Sequence, residues 1–207
     1  MLRPNRFLLV FLVLAAWFAL GSQLFLIIQH RQAELSETVI RYFSYFTILS
    51  NLLVALCCSF NLIQPEGRVA RFFAAARTQT AICVYILVVG LVYNVILRFI
   101  WNPTGLQKVT DETLHSVVPL LFLAYWALHT RKEGLDWGLI WRWLIFPAVY
   151  CVFVLLRGSF SGFYPYPFID LPALGAWQTV LNCTLLLLVF TAFSAILIGT
   201  AKFIARK

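Results

Sequence analysis

Long apolar runs separated by short polar connectors dominate the chain. A transmembrane helix needs about 20 mostly apolar residues. Six segments reach or approach that length: 7–29, 42–63, 79–101, 115–129, 139–156 and 177–199. The fourth and fifth are the shortest. The longest connector, between the fifth and sixth, has about 20 residues, too few for a soluble domain. The pattern therefore predicts an all-α fold, a single domain over residues 1–207 built as a bundle of six transmembrane helices. Arg3 and Arg6 precede the first run as they would in a signal peptide. That run continues past Gly21 to Ile28, which reads as a retained first helix. Pro119 and Pro147 fall inside the fourth and fifth segments and are expected to kink them.

The basic residues are distributed unevenly over the connectors. Arg3, Arg6, Arg68, Arg71, Arg77, Arg131, Lys132, Arg142, Lys202, Arg206 and Lys207 fall on one side of the six-span layout. Arg31, Arg41, Arg98, Lys108 and Arg157 fall on the other. The side richer in Lys and Arg faces the cytoplasm as a rule, which predicts both termini there.

Composition narrows the class further. The 207 residues are 62% hydrophobic and only 12% charged, against about 45–50% and about 25% in a soluble domain. So little polar material cannot cover a soluble surface of this size. The formal net charge of +8 does not point to nucleic acid, because the basic residues lie in short loops and form no basic face or arm. Cys57, Cys58, Cys83, Cys151 and Cys183 all lie in apolar runs, where Cys behaves as a small hydrophobe.

Polar groups are costly in hydrocarbon and face the bundle interior, a partner or water. Their depth is therefore informative. Thr47, Ser50 and Asn51 come early in the second segment, about 9–15 Å past Arg41 at about 1.5 Å per residue, on one helix face. Asn94 and Arg98 lie near the end of the third segment, and His115 opens the fourth. Gln178 and Asn182 open the sixth. In the predicted orientation all of these share the outer half of the bilayer, and the cytoplasmic halves read as more uniformly apolar. The connector Tyr164-Pro165-Tyr166-Pro167-Phe168-Ile169-Asp170-Leu171-Pro172 lies on the same side, stiffened by its prolines. It would cap a polar pocket, with Asp170 pointing in. Taken singly, each polar residue reads equally well as a helix-packing contact. Tyr42 and Trp101 read as aromatic anchors at the membrane interface, and Arg98 as a partner for Asp170 or a lipid phosphate.

Two motifs add to this. The segment Arg41-Tyr42-Phe43-Ser44-Tyr45-Phe46-Thr47-Ile48-Leu49-Ser50-Asn51-Leu52 and the segment Leu114-His115-Ser116-Val117-Val118-Pro119-Leu120-Leu121 resemble a family of small bacterial six-helix membrane proteins. That family in turn is similar to the eukaryotic androgen-induced membrane proteins, regarded as intramembrane threonine hydrolases of fatty acid esters of hydroxy fatty acids. The resemblance implies a bacterial cytoplasmic membrane as location, membrane lipids as surroundings and a lipid ester as substrate. It implies Thr47 as nucleophile and His115 as its partner.

The chemistry is coherent on its own terms. A threonine hydroxyl is a weak nucleophile and needs an adjacent base, and histidine suits that task near neutral pH. Asp111, one turn before His115, or Asp170 from the connector would orient the histidine. Asn51, Asn94, Asn182 or Arg98 would hold an oxyanion. The residue types leave these choices open. No metal or organic cofactor is expected, since the chain has no HExxH, Gly-rich phosphate loop or ligand cluster. Against the hydrolase stands a non-enzymatic membrane protein that binds or senses a lipid or small molecule with the same residues. Thr47 would then bond its own i−4 carbonyl, as threonines in helices commonly do.

Overall fold

The computed structural model describes residues 6–205. Helices account for almost all of the ordered structure, and no strand occurs among the described residues. Helix α1 runs Arg6–Gln29, α2 Leu35–Phe43, α3 Phe46–Ile63, α4 Arg68–Ala74 and α5 Ala76–Val95. They are followed by α6 Gly105–Glu112, α7 Val118–His129, α8 Leu139–Ser161 and α9 Leu171–Ala205. Short 3-10 turns occupy Leu97–Phe99 and Pro167–Ile169, and a π-helical turn, Thr113–Val117, joins α6 to α7.

Five of the helical segments are long and apolar enough to cross a membrane: Arg6–Gln29, Phe46–Ile63, Ala76–Phe99, Leu139–Ser161 and Leu171–Ala205. Their outward faces carry exposed large apolar side chains, including Phe11, Leu14, Val149, Phe153, Leu185 and Leu188. Only a hydrocarbon environment makes such a surface inexpensive. Helix α5 is the centre of the bundle. It packs against α3, α4, α7 and α9, and 61% of its apolar window is buried, against 22% for α9. Its near-continuous run of apolar and small residues follows from contact on all sides.

Several expected boundaries shift for identifiable reasons. The segment expected at 42–63 is two helices, because the chain breaks at Ser44-Tyr45, where Tyr45 is extended. The Tyr150 hydroxyl from α8 fills that break. It donates to the Ser44 carbonyl at 2.8 Å and accepts the Phe46 N–H at 3.1 Å, replacing two bonds the helix would have made. The segment expected at 115–129 is the end of a longer helical run beginning at Gly105, and its straight part, α7, has only 12 residues. The segment expected at 139–156 is not short but extends to Ser161, and that expected at 177–199 lies within the longer α9.

The expectation of uniformly apolar halves at the other end is corrected. There, Gln79 Nε2 donates to Asn61 Oδ1 at 3.2 Å and to the Phe73 carbonyl at 3.1 Å. Thr130 Oγ1 donates to Gln79 Oε1 at 2.8 Å, and Trp126 Nε1 to Thr80 Oγ1 at 2.9 Å. Gln79 opens its expected segment, whereas Asn61, Thr80 and Trp126 lie inside theirs. Helix α4 folds back against α3 and α5 and presents the Phe73 carbonyl to both Asn61 and Gln79. Tyr42 is likewise no interface anchor, being buried with its hydroxyl donating to the Leu20 carbonyl at 2.9 Å.

Candidate active site

Thr47 is the second residue of α3, directly after the break at Ser44-Tyr45. Its N–H therefore has no partner within the helix. The Tyr166 hydroxyl, from the α8–α9 connector, accepts that N–H at 3.2 Å and lies 3.2 Å from Thr47 Oγ1. The reading in which Thr47 bonds its own i−4 carbonyl does not describe this geometry, because residue 43 belongs to the preceding helix.

His115 sits in the middle of the π-helical turn, buried. Its Nε2 lies 3.4 Å from Thr47 Oγ1, and its Nδ1 lies 2.8 Å from the Asp111 carbonyl oxygen. A carbonyl only accepts, so Nδ1 carries the proton and Nε2 is the bare acceptor facing the threonine. The imidazole stacks on Tyr93 of α5 with ring centroids 4.0 Å apart and planes 13° from parallel. Two features of α5 allow this approach. At Gly90 an added Cβ would stand 3.0 Å from the His115 carbonyl oxygen. Asn94 Nδ2 then reaches that same oxygen at 3.4 Å. Pro119 has no N–H to offer the carbonyl four residues before it, which leaves the His115 carbonyl for Asn94 and accompanies the π turn. Such turns recur at functional positions.

The other expected site residues act around this pair. Asn51 Nδ2 ties the Thr47 carbonyl, at 2.9 Å, to the Leu114 carbonyl, at 3.2 Å, and so joins the two motifs. Its Oδ1 and the Ser50 hydroxyl are buried without a hydrogen-bond partner. Asp111 orients the histidine through its backbone carbonyl, not its carboxylate. The carboxylate accepts instead from Trp101 Nε1 and from Gln107 Nε2, each at 2.9 Å. Burial raises the Asp111 carboxyl pKa, and those two hydrogen bonds oppose the rise. Arg98 pairs with neither Asp170 nor the threonine but with Glu112, at 2.7 Å, and its guanidinium lies over Tyr93. Asp170 does not point into a cavity. Its Oδ1 accepts the Ala173 N–H at 3.3 Å at the start of α9. Asn182 Nδ2 donates to the Phe168 carbonyl at 2.8 Å, with Gln178 donating to Asn182 Oδ1 at 2.9 Å. These two hold the connector that carries Tyr166.

Tyr166 is not among the site residues expected from the sequence, where the connector drew notice for its prolines and Asp170. Tyr166 Oη and His115 Nε2 are the two side-chain atoms in hydrogen-bond contact with Thr47 Oγ1 among the described residues. Burial pushes the Tyr166 phenol up to about 12, against hydrogen bonds with Thr47 that pull it down. It is therefore a protonated donor at neutral pH. The signal available in the sequence was the Pro165-Tyr166-Pro167 triplet, which holds one aromatic on a stiff support.

The connector is itself clamped. The Tyr164 ring lies where a Cβ on Gly158 would be, 2.2 Å from its Cε1. Phe163 lies under two guanidiniums, Arg41 at 4.6 Å and Arg157 at 5.1 Å from the ring centroid. Both arginines bond Glu37 Oε1, at 2.8 and 2.6 Å. The bond from Arg41, joined by that from Arg157, holds the Glu37 carboxyl below its ordinary pKa, against some desolvation.

Two spaces meet at Thr47 and His115. One is an open cleft of about 820 Å³, whose lining includes Gln23, Arg31, Arg41, Gln107 and Asp111. The other is a narrow apolar pocket of about 50 Å³ between α5, α8 and α9, lined by residues such as Val88, Val92, Cys151, Leu186 and Phe190. Thr47, His115 and Tyr166 line both. Compared with protein-family models, with curated proteins and with solved structures, the chain matches none of them.

Proposed function

We propose that this is a six-span membrane hydrolase of lipid esters, with both termini on the cytoplasmic side and its site in the outer half of the bilayer. The observation that carries the proposal is the placement of Thr47 Oγ1 3.4 Å from a histidine nitrogen whose opposite nitrogen is tied to a carbonyl. This is the relay of nucleophile, base and orienting group that hydroxyl nucleophiles require. The separation is somewhat long for a hydrogen bond, as is usual before substrate tightens such contacts. The resemblance to the androgen-induced family supports the same two roles.

In this reading Thr47 Oγ1 attacks the ester carbonyl carbon and His115 Nε2 takes its proton. Negative charge develops on the former carbonyl oxygen. The expected oxyanion donors Asn51, Asn94, Asn182 and Arg98 are all engaged elsewhere. The Tyr166 hydroxyl is the donor at the right place, and the positive end of the α3 dipole assists it. The protonated His115 passes its proton to the departing alkoxide, so the alcohol leaves and an acyl-threonine remains. A water then attacks the acyl carbon, giving its proton to His115 and on to Thr47 Oγ1. The acid is released and the enzyme is restored.

Labelling of membranes with a fluorophosphonate probe tests this. Wild type should label, and Thr47→Ala and His115→Ala should not, at matched expression. Unchanged labelling of Thr47→Ala would overturn the reading. A non-enzymatic lipid- or ligand-binding protein is the second reading, favoured by the breadth of the cleft. It predicts saturable ligand binding that survives Thr47→Ser and Thr47→Ala alike, with no label on either.

A further inference from the structure

Resting on the hydrolase reading, we infer which part of the ester goes where: a slim acyl chain enters the apolar pocket between α5, α8 and α9, and a polar alcohol part lies in the open cleft. The substrate class is an ester of a linear acyl chain with a polar, water-facing alcohol.

Three observations carry this. The two spaces meet at Thr47 and His115, so an ester carbonyl held at Thr47 has one substituent in each. Their chemistry differs. The pocket wall beyond the site's own polar atoms is aliphatic and aromatic, with Val88, Val92, Leu186 and Phe190 among its residues. The cleft wall is mixed, setting Gln23, Arg31, Asn102 and Gln107 among apolar residues such as Leu26 and Ile100. Their size differs as well, about 50 Å³ against about 820 Å³, so the first suits a slim chain and the second a bulkier group.

The order of bond changes decides the direction. In the first half-reaction the bond from Thr47 Oγ1 to the acyl carbon forms and the bond to the alcohol oxygen breaks. The alcohol then departs and water takes its place, while the acyl group stays attached. The cleft, with about 820 Å³ of space and polar groups such as Gln23, Arg31 and Asn102 on its wall, is the wide and wettable route for the alcohol to leave and for water to enter. With the ester reversed, a polar alcohol would have to leave, and water arrive, through the narrow apolar pocket. Cys151 is a small side chain on the α8 wall of the pocket, where a larger one would narrow the room for the chain.

Two substrate ladders on the purified full-length protein in lipid nanodiscs test the inference. The first is 4-nitrophenyl acetate, butyrate, octanoate and palmitate, which varies the acyl side. The second is methyl, glyceryl and glycerophosphocholine octanoate, which varies the alcohol side. Cys151→Phe should lower the ratio of octanoate to acetate kcat/KM about tenfold or more, and Cys151→Ala should raise it. Both should leave the order of the alcohol ladder as in wild type. The opposite signs keep the test sound if the larger residue impairs folding. A shift in the alcohol ladder, or no shift in either ladder with either variant, overturns the assignment while turnover itself stands. Turnover equal in wild type and Thr47→Ala, or absent from both, defeats the hydrolase reading and this inference with it.

Discussion

The hydroxyl of Tyr166 lies 3.2 Å from both the backbone nitrogen and Oγ1 of Thr47, across 119 residues of sequence. One side chain thus satisfies the exposed start of a helix and touches the atom proposed to react. Tyr166→Phe removes both contacts and leaves the Thr47 N–H buried and unpaired. The expected stability loss is about 1–3 kcal/mol, read as a lower Tm. Ester turnover should fall about 10²–10³-fold, mainly in kcat. An equal loss of Tm with unchanged kcat would make Tyr166 a helix cap and nothing more.

Gly90 permits the contact between α5 and the π turn. A methyl group there stands 3.0 Å from the His115 carbonyl oxygen and 3.3 Å from Pro119 Cβ. Gly90→Ala must push that turn away by a few tenths of an ångström, moving His115 relative to Thr47. Displacements of this kind cost far more in rate than in stability. The expected outcome is a loss of about 1–3 kcal/mol in unfolding free energy with a larger loss in kcat, checked by thermal melting and turnover on one preparation.

Gly158 receives the Tyr164 ring, and a Cβ would overlap that ring at 2.2–2.6 Å. Gly158→Ala should therefore displace the connector that carries Tyr166. Proteolysis within residues 162–170 should become faster than in wild type, while the bundle helices keep their protection. Equal rates would show that Tyr164 moves alone.

Glu37 ties Arg41 and Arg157 together above Phe163. Its carboxyl pKa is lowered in the folded protein, first by the Arg41 hydrogen bond, from an ordinary value of 4.5. The sign follows. The contribution to stability is fully present above 4.5 and is lost as the pH falls through the lowered value. Wild type and Glu37→Gln should therefore differ in Tm at neutral pH and converge as the solution is acidified below the carboxylate range. A constant difference across that range would contradict the clamp. The pair is partly exposed, so the difference should also shrink with salt.

The long helices were legible because apolar runs of span length have few alternatives in so uncharged a chain. Depth along the segments put Thr47 and His115 in the same half of the bundle, and only the resemblance of the two motifs paired them. What escaped is what depends on distant backbone. The break at Ser44-Tyr45 is stabilised by Tyr150, 106 residues away from Ser44. No local pattern announces it. The histidine's orienting group was sought among carboxylates, whereas the last turn of α6 supplies it as the Asp111 backbone carbonyl. The hydrogen bonds joining Asn61, Gln79 and Thr130 link three segments far apart in sequence, so no local pattern announces them.

The central claim is that Thr47 is the reacting atom's owner. After treatment of the full-length protein with a fluorophosphonate, peptide mapping by mass spectrometry tests it most directly. One stoichiometric adduct on Thr47 is expected, absent from His115→Ala. An adduct confined to another residue, or none on a protein that still hydrolyses esters, would contradict it.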